Sequence, residues 1–214
     1  MDKIELKNTL PVVFAGRDDV CSDIWHQNVA FEKGKLYLIE AHSGTGKSSL
    51  CSYLTGYRDD YQGIICFDGK NIRNFKVGEW VELRKKSLSH LFQELRLFPE
   101  LTAYENIAIK NHLTKFRKRK QIEEWFDALG IGEKLHAKVG MMSFGQQQRV
   151  AMIRALVQPF DFLMADEPVS HLDDGNSSIM GEIMMTEARA QGAGVIITSV
   201  GKHMPLDYDK IFKL

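Results

Sequence analysis

Short apolar runs alternate with segments of helical period along most of this chain, which predicts an α/β fold with a mainly parallel central sheet. A glycine-rich turn at 41–48 lies between one such run and one such segment, the strand, loop and helix setting of a phosphate-binding loop. Two further features complete the expected architecture. Polar and apolar residues alternate near the start, as in an N-terminal antiparallel β layer. The stretch 94–142 has helical periods and no strand candidate, as an inserted helical subdomain would. The 214 residues are thus expected to form a single domain, with 1–93 and 143–214 as its core.

Composition narrows the functional classes. At 44% hydrophobic and 26% charged the chain is ordinary globular material rather than disordered or fibrous. Lys plus Arg and Asp plus Glu number 28 each, so the global basic footprint of a nucleic-acid binder is missing and no nucleic-acid partner is expected. No run approaches the roughly 18 apolar residues of a membrane span, and Met1-Asp2-Lys3-Ile4-Glu5 is unlike a signal peptide. The chain is therefore expected to be cytoplasmic. Cys21, Cys51 and Cys66 are odd in number and form no C-x-x-C pattern, which points to reduced structural thiols.

Taken in order, 3–7 and 10–14 are strand candidates, and 28–31 leads through Glu32-Lys33-Gly34 into the strand 36–39, which reads as a hairpin feeding the glycine-rich turn. A helix follows to Leu54, then a strand at 63–67 closed by Asp68-Gly69. The segment 77–86 suits a short amphipathic helix, and 88–92 a strand ending at Gln93. Residues 102–113 and 118–129 are helical by period, with Gly130 as a stop. Ser143 and Gln146 have capping-box spacing, so a helix should run from there to about Val157. The strand 160–165 then delivers Asp166 and Glu167 at its end, followed by a helix at 174–190, a strand at 195–198 and a last short strand within 208–214.

The chemistry begins at Ala41-His42-Ser43-Gly44-Thr45-Gly46-Lys47-Ser48. Gly44 and Gly46 let the backbone turn tightly enough for successive N–H groups to converge on phosphate oxygens. The new helix, opened by Lys47, Ser48 and Ser49, aims its positive end at the same place. Lys47 would reach the terminal phosphates of a nucleotide and the Ser48 hydroxyl would complete a Mg²⁺ shell. With Gln93, Met142-Ser143-Phe144-Gly145-Gln146, Asp166-Glu167 and Ser170-His171-Leu172-Asp173 in this order, the chain resembles the ATP-binding subunit of ABC transporters over nearly its whole length. The run from Gln93 to Ile107, with Gln146-Gln147-Gln148-Arg149 and Ala165-Asp166-Glu167-Pro168, is similar to the branch holding lipoprotein-releasing, macrolide-exporting and cell-division ATPases.

That resemblance implies a P-loop NTPase core that binds ATP and Mg²⁺ and hydrolyses ATP. It makes Glu167 the general base, Gln93 a catalytic residue that contacts both Mg²⁺ and the attacking water, Ser48 and Asp166 the other metal-site residues, and Lys47 the catalytic phosphate clamp. It assigns Ser143, Gly145 and Gln146 to the signature that meets ATP bound by a second copy, so a homodimer is implied. Separate transmembrane permease subunits are the other implied partners, which would hold the chain peripherally on the inner face of the cell membrane. Phe14 falls near the family's adenine-stacking aromatic, with Trp25 as the other candidate; packing of the N-terminal layer is the plain alternative for both. Leu95, Leu97, Phe98 and Leu101 fall where the family receives a helix of the membrane subunit, or else pack the helical segment on the core.

Three positions depart from the pattern: Ala41 for the first loop glycine, Phe144 within the signature, and Val200 for a γ-phosphate-sensing histidine. They lead to an expectation of slow or partner-dependent turnover. The competing reading is a degenerate ATP-binding regulatory or scaffold module with little or no hydrolysis. His203, three residues beyond Val200, is a candidate substitute through a different loop path, or an exposed loop histidine. The basic cluster Lys115, Arg117, Lys118, Arg119 and Lys120 reads as a solvated face or as a contact for anionic partners.

Overall fold

A computed structural model describes residues 1–17 and 19–214. The central sheet is five-stranded and parallel throughout, in the order β6 (Leu88–Leu91), β7 (Phe162–Asp166), β8 (Gly194–Ser199), β3 (Leu36–Glu40), β9 (Lys210–Lys213). Its strands are apolar in succession because both faces are covered. Leu36, Leu38, Leu163, Ala165, Val195 and Ile197 point into one core cluster, and their neighbours Tyr37, Ile39, Phe162, Met164 and Ile196 into the other. The first face packs on α3 (Ala103–Asn111), α4 (Arg119–Ala128), α5 (Phe144–Leu156) and α6 (Asp174–Ala190). Truncating Ile197, fully buried at 0% exposure, to Ala is expected to cost about 2–5 kcal/mol.

The second face meets α1 (Lys47–Leu54) and a four-stranded antiparallel sheet, β2 (Asn28–Glu32), β1 (Lys3–Pro11), β4 (Tyr61–Phe67), β5 (Lys70–Asn71). This is the expected N-terminal layer, with two corrections. Leu10 and Pro11 end β1, and Val12–Phe14 is a 3-10 turn rather than a second strand. β1 is one strand whose register against β4 shifts between Lys7 and Leu10, where Asn8 takes a left-handed φ of 49°. Nor do 28–31 and 36–39 form a hairpin: β2 pairs with β1, whereas β3 pairs with β8 and β9. The turn at Gly34 (φ 80°) carries the chain from one sheet to the other.

Between β6 and α5 lie α3 and α4, with an isolated bridge between Thr102 and Lys138. Thr102 caps α3 by accepting from Glu105 N while Glu105 reaches back to Thr102 N at 2.8 Å. Because all strands of the central sheet are parallel, the ends of β3, β7 and β8 reach the same edge, and open α/β sheets place their ligands at that edge.

Candidate functional site

β3 leads directly into the glycine-rich turn. Ala41 N donates to Ser199 O at 2.9 Å, which extends the β3–β8 ladder by one residue and fixes where the turn begins. Ala41 is not among the left-handed residues, so its methyl group causes no backbone strain there. Gly46 is different. At φ 94° it is left-handed, and a Cβ there would stand 2.9 Å from Phe14 Cε2 and 3.1 Å from Trp25 Cζ2. The two aromatic rings thus support the turn from beneath, and Trp25 Nε1 donates to Thr45 O at 2.9 Å. Trp25 is a prop for the loop, and Phe14, though only 8% exposed, also lines the cavity above it. Thr45 Oγ1 donates to His42 O at 2.9 Å, which closes the turn on itself.

A cavity of about 580 Å³ opens over this loop, lined by Phe14, His42, Ser43, Gly44, Gly46 and residues 47–49, with Gln93, Glu167 and Val200 facing them. Ten of the predicted site residues are therefore gathered in one place. Asp166 lies just behind, 6% exposed, and accepts from Lys47 Nζ at 2.9 Å. The same ammonium contacts Glu167 and donates to Gln93 Oε1 at 3.3 Å. Burial alone would lower the Lys47 pKa; the hydrogen bonds and charges of Glu167 and Asp166 outweigh it and hold the pKa above the ordinary lysine value.

Two carboxylates in sequence would repel one another without such a counter-charge, and the backbone there is also under strain. Glu167 has a left-handed φ of 49°, a conformation that persists only where its surroundings enforce it. Three bonds do so. Glu167 N donates to Thr198 O at 3.0 Å, Gln148 Nε2 donates to Glu167 O at 3.1 Å, and Thr198 Oγ1 donates to Asp166 Oδ1. Thr198 and Gln148 escaped the sequence reading. The register Asp166↔Thr198 needs the strand order, though the position of Thr198 at the end of an apolar run was a usable signal.

The oxygen atoms of Ser48, Gln93 and Asp166 are of the class that hard divalent cations take, and the Lys47 ammonium beside them shows that the locus accepts positive charge. Among the described residues no group of three or more His, Cys, Asp and Glu forms a metal cluster. A Mg²⁺ site here would therefore draw on mixed hydroxyl, amide and carboxylate donors completed by substrate phosphate.

Ser143, Gly145 and Gln146 do not line this cavity. Ser143 caps α5, accepting from Gln146 N at 3.3 Å while Ser143 N donates to Gln146 Oε1 at 3.0 Å. The helix end approaches the 170–173 loop closely: a Cβ on Gly145 would stand 3.1 Å from Leu172 Cδ2. Phe144, 43% exposed, turns its ring onto His171 with centroids 4.4 Å apart. His203 lines a neighbouring cavity with Cys21 and His42 rather than facing Glu167. Within the basic cluster Arg117 turns inward onto the buried Glu187, whereas Lys115, Lys118, Arg119 and Lys120 are exposed, with Arg119 on Glu123, so the solvated-face reading fits those four and not Arg117.

The family model for the ABC transporter matches residues 26–170. The macrolide export ATP-binding/permease protein MacB of Shewanella sp. (strain ANA-3) is 30% identical over 190 residues, covering 87% of this chain and 29% of that protein. The chain thus spans less than a third of that relative's length. The lipoprotein-releasing system ATP-binding protein LolD of Buchnera aphidicola subsp. Schizaphis graminum is 32% identical over 160 residues, covering 73% of this chain and 70% of that protein. Among solved structures, the dimeric structure of MJ0796, a bacterial ABC transporter cassette, aligns with a TM-score of 0.78 at 24% identity over 92% of this chain and 87% of that one. The family match takes in the phosphate loop, Gln93, the Ser143 cap and Glu167, and the chain belongs to the ABC transporter family as an ATP-binding cassette.

Proposed function

We propose that this chain is the ATP-hydrolysing subunit of a membrane-associated ABC transporter or envelope complex, in which ATP closes two copies together and hydrolysis moves separate transmembrane subunits. The observation that carries the reading is the convergence of Lys47, Gln93, Asp166 and Glu167 beside the phosphate loop. The loop amides and the start of α1 bind the triphosphate, and Phe14 meets the base. Ser48, Gln93 and Asp166 would hold Mg²⁺, which neutralises phosphate charge when bound. Lys47 then has two competing claims on its ammonium. In the free chain it is committed to Glu167 and Asp166; an entering phosphate draws it away and leaves the Glu167 carboxylate free to take a proton from water. Substrate binding thus uncovers the base.

Ser143, Gly145 and Gln146 lie apart from the phosphate cavity of their own chain, which supports their use by a second copy: the capped N-terminus of α5 offers N–H groups to the phosphate held opposite. The segment 94–142, with α3 and α4, serves as the helical subdomain, and the signature follows directly at its end. Val200 brings no hydrogen-bond donor to the cavity edge, so turnover is slow until a partner completes the site. Attachment is peripheral, on the inner face of the membrane, through the permease; no helix among the described residues is long and apolar enough to cross a bilayer. The relatives' names fit this reading, one a macrolide exporter and one a lipoprotein-releasing protein.

Sedimentation tests the dimer. Glu167→Gln should dimerise in ATP, and Ser143→Arg in that background should remain monomeric while still binding nucleotide. Dimers that form equally well with Arg at 143 would remove the signature from the mechanism.

A further inference from the structure

A second cavity, of about 310 Å³, opens among the segment leaving β6, the helix α3 and the turn after α1. Its mouth is apolar: Phe98 is 51% exposed, Ile109 47% and Leu113 59%. Of Leu95, Leu97, Phe98 and Leu101, Phe98 alone lines it; Leu95 and Leu97 pack in the core. Its walls carry three cationic side chains, Arg84, Lys110 and Arg154, and among the described residues no carboxylate. Arg84 donates to Thr55 O at 3.0 Å and Gly56 O at 3.2 Å, and Arg154 to the carbonyls of Arg96 and Leu95. Each guanidinium therefore keeps N–H donors that meet no anion. Half-buried Lys110 has one hydrogen-bond partner among the described residues, the Ser89 hydroxyl at 3.2 Å, and that hydroxyl gives its own proton to Ala155 O at 2.6 Å. Both ring nitrogens of His90, in the same wall, are buried without a hydrogen-bond partner.

An ammonium in that setting is opposed twice, by loss of water and by the like charge of Arg154, which together push the Lys110 group down to about 7. A lysine desolvated beside another cation is the activated amine of nucleophilic chemistry. The cations around it lack an anion. We propose that Lys110 is a carbamylation site: its free amine takes up carbon dioxide, and the carbamate so formed is the carboxylate that the cavity otherwise lacks. The Nζ lone pair attacks the carbon of CO₂, a C–N bond forms, one pair of a C=O bond passes to oxygen, and an N–H proton leaves to water. Nothing is oxidised or reduced. The N–H that remains on Nζ still reaches the Ser89 hydroxyl, and the carbamate oxygens accept from the unmet donors of Arg154 and Arg84, in charge-assisted bonds of the stronger kind. A wall of three cationic side chains thus becomes one of two cations and an anion. Carbon dioxide suits the site because it is small and uncharged, and it passes the apolar mouth without the desolvation cost that a preformed anion would meet. Phe92 lines this cavity and the next residue, Gln93, lines the phosphate cavity, so the new charge forms beside the strand end that serves the nucleotide.

The test is ¹³C NMR of the purified full chain in ¹³C-labelled bicarbonate at mildly alkaline pH, with the carbamate trapped as its ester by a trialkyloxonium salt and located by mass spectrometry. The expected result is a carbamate resonance and a trapped ester on the peptide that holds Lys110. Both should be lost in Lys110→Met and in Lys110→Arg. Arg154→Gln, which removes a guanidinium partner, should lower the occupancy severalfold. No carbamate on Lys110 in saturating labelled bicarbonate, or a resonance that persists in Lys110→Met, overturns the proposal. Undiminished occupancy in Arg154→Gln overturns the pairing. Thermal unfolding gives a readout that needs no trapping, since a group taken up by the folded state alone raises stability. Dissolved CO₂ should raise the Tm of the parent chain and leave that of Lys110→Met unchanged; an equal rise in both contradicts the assignment as well.

Discussion

Two lysines lie near the two sides of the segment that runs from β6 to Gln93, and their surroundings differ in one respect. Lys47, 8% exposed, touches Asp166, Glu167 and Gln93, and its pKa is held above the ordinary value. Lys110 touches a serine hydroxyl and no carboxylate, and its pKa is pushed down to about 7. Burial opposes the charge in both cases; only the first lysine has an internal counter-charge. The phosphate site is therefore electrostatically complete before its ligand arrives, and binding exchanges one set of anions for another. The surroundings of Lys110 supply no such counter-charge among the described residues, so folding disfavours its charged form.

Breaking the compensated side should have the largest effect. Lys47→Met leaves Asp166 and Glu167 beside each other without their cation, and removing one partner of a buried pair costs about 3–5 kcal/mol. Denaturant unfolding should read that loss, together with loss of ATP binding; a change under about 1 kcal/mol would mean that the two carboxylates do not depend on the ammonium.

Next in size is a pH effect at His90, whose pKa is pushed down to about 4, chiefly by burial, with Asp166 opposing the shift and Arg96 and Lys110 adding to it. An unfolded histidine titrates at about 6.5. Between these values the unfolded chain holds more protons than the folded one, so stability is lost as pH falls from about 6.5 toward about 4. The loss amounts to at most about 3 kcal/mol. Thermal unfolding across that range should show the slope in the parent chain and a flatter profile in His90→Phe.

Lys110→Met should act with the opposite sign to Lys47→Met, gaining about 1–3 kcal/mol at pH 6. The folded pKa of Lys110 lies below its unfolded value, so the penalty is full below about 7 and fades as pH rises toward the ordinary lysine value. The gain should therefore shrink in alkaline buffer; a pH-independent gain would point to packing instead of charge. Smallest is Thr198→Val, which removes the hydroxyl bond to Asp166 at a cost of about 1–2 kcal/mol, measured as a shift in unfolding midpoint.

The compensated site was mostly legible in the sequence because its signals are local. Gly44, Gly46 and Lys47 sit within one turn and Glu167 follows an apolar run; the cap formed by Ser143 and Gln146, apart from that site, was legible from its spacing for the same reason. The prop under the loop was not, since the bond from Trp25 to Thr45 spans 20 residues and depends on how the antiparallel layer lies against α1. Thr198 required the pairing of β7 with β8. The error at 10–14 has a simple cause: its apolar residues fit a strand, but Val12 and Val13 are exposed while Phe14 folds under the loop. The setting of Lys110 was the least visible, because the residue is unremarkable in the helical pattern of α3, and only the absence of a carboxylate around its folded position sets it apart.

The central claim is that the Lys47–Glu167 arrangement serves ATP hydrolysis by a pair of chains. Mg²⁺-dependent hydrolysis by the purified chain, measured over a range of protein concentrations with Glu167→Gln beside it, tests it most directly. The prediction is a rate that rises more than linearly with concentration and vanishes in the variant. A rate that is the same in the Glu167→Gln variant, or none in a chain that binds ATP and dimerises beside its membrane partner, would contradict it.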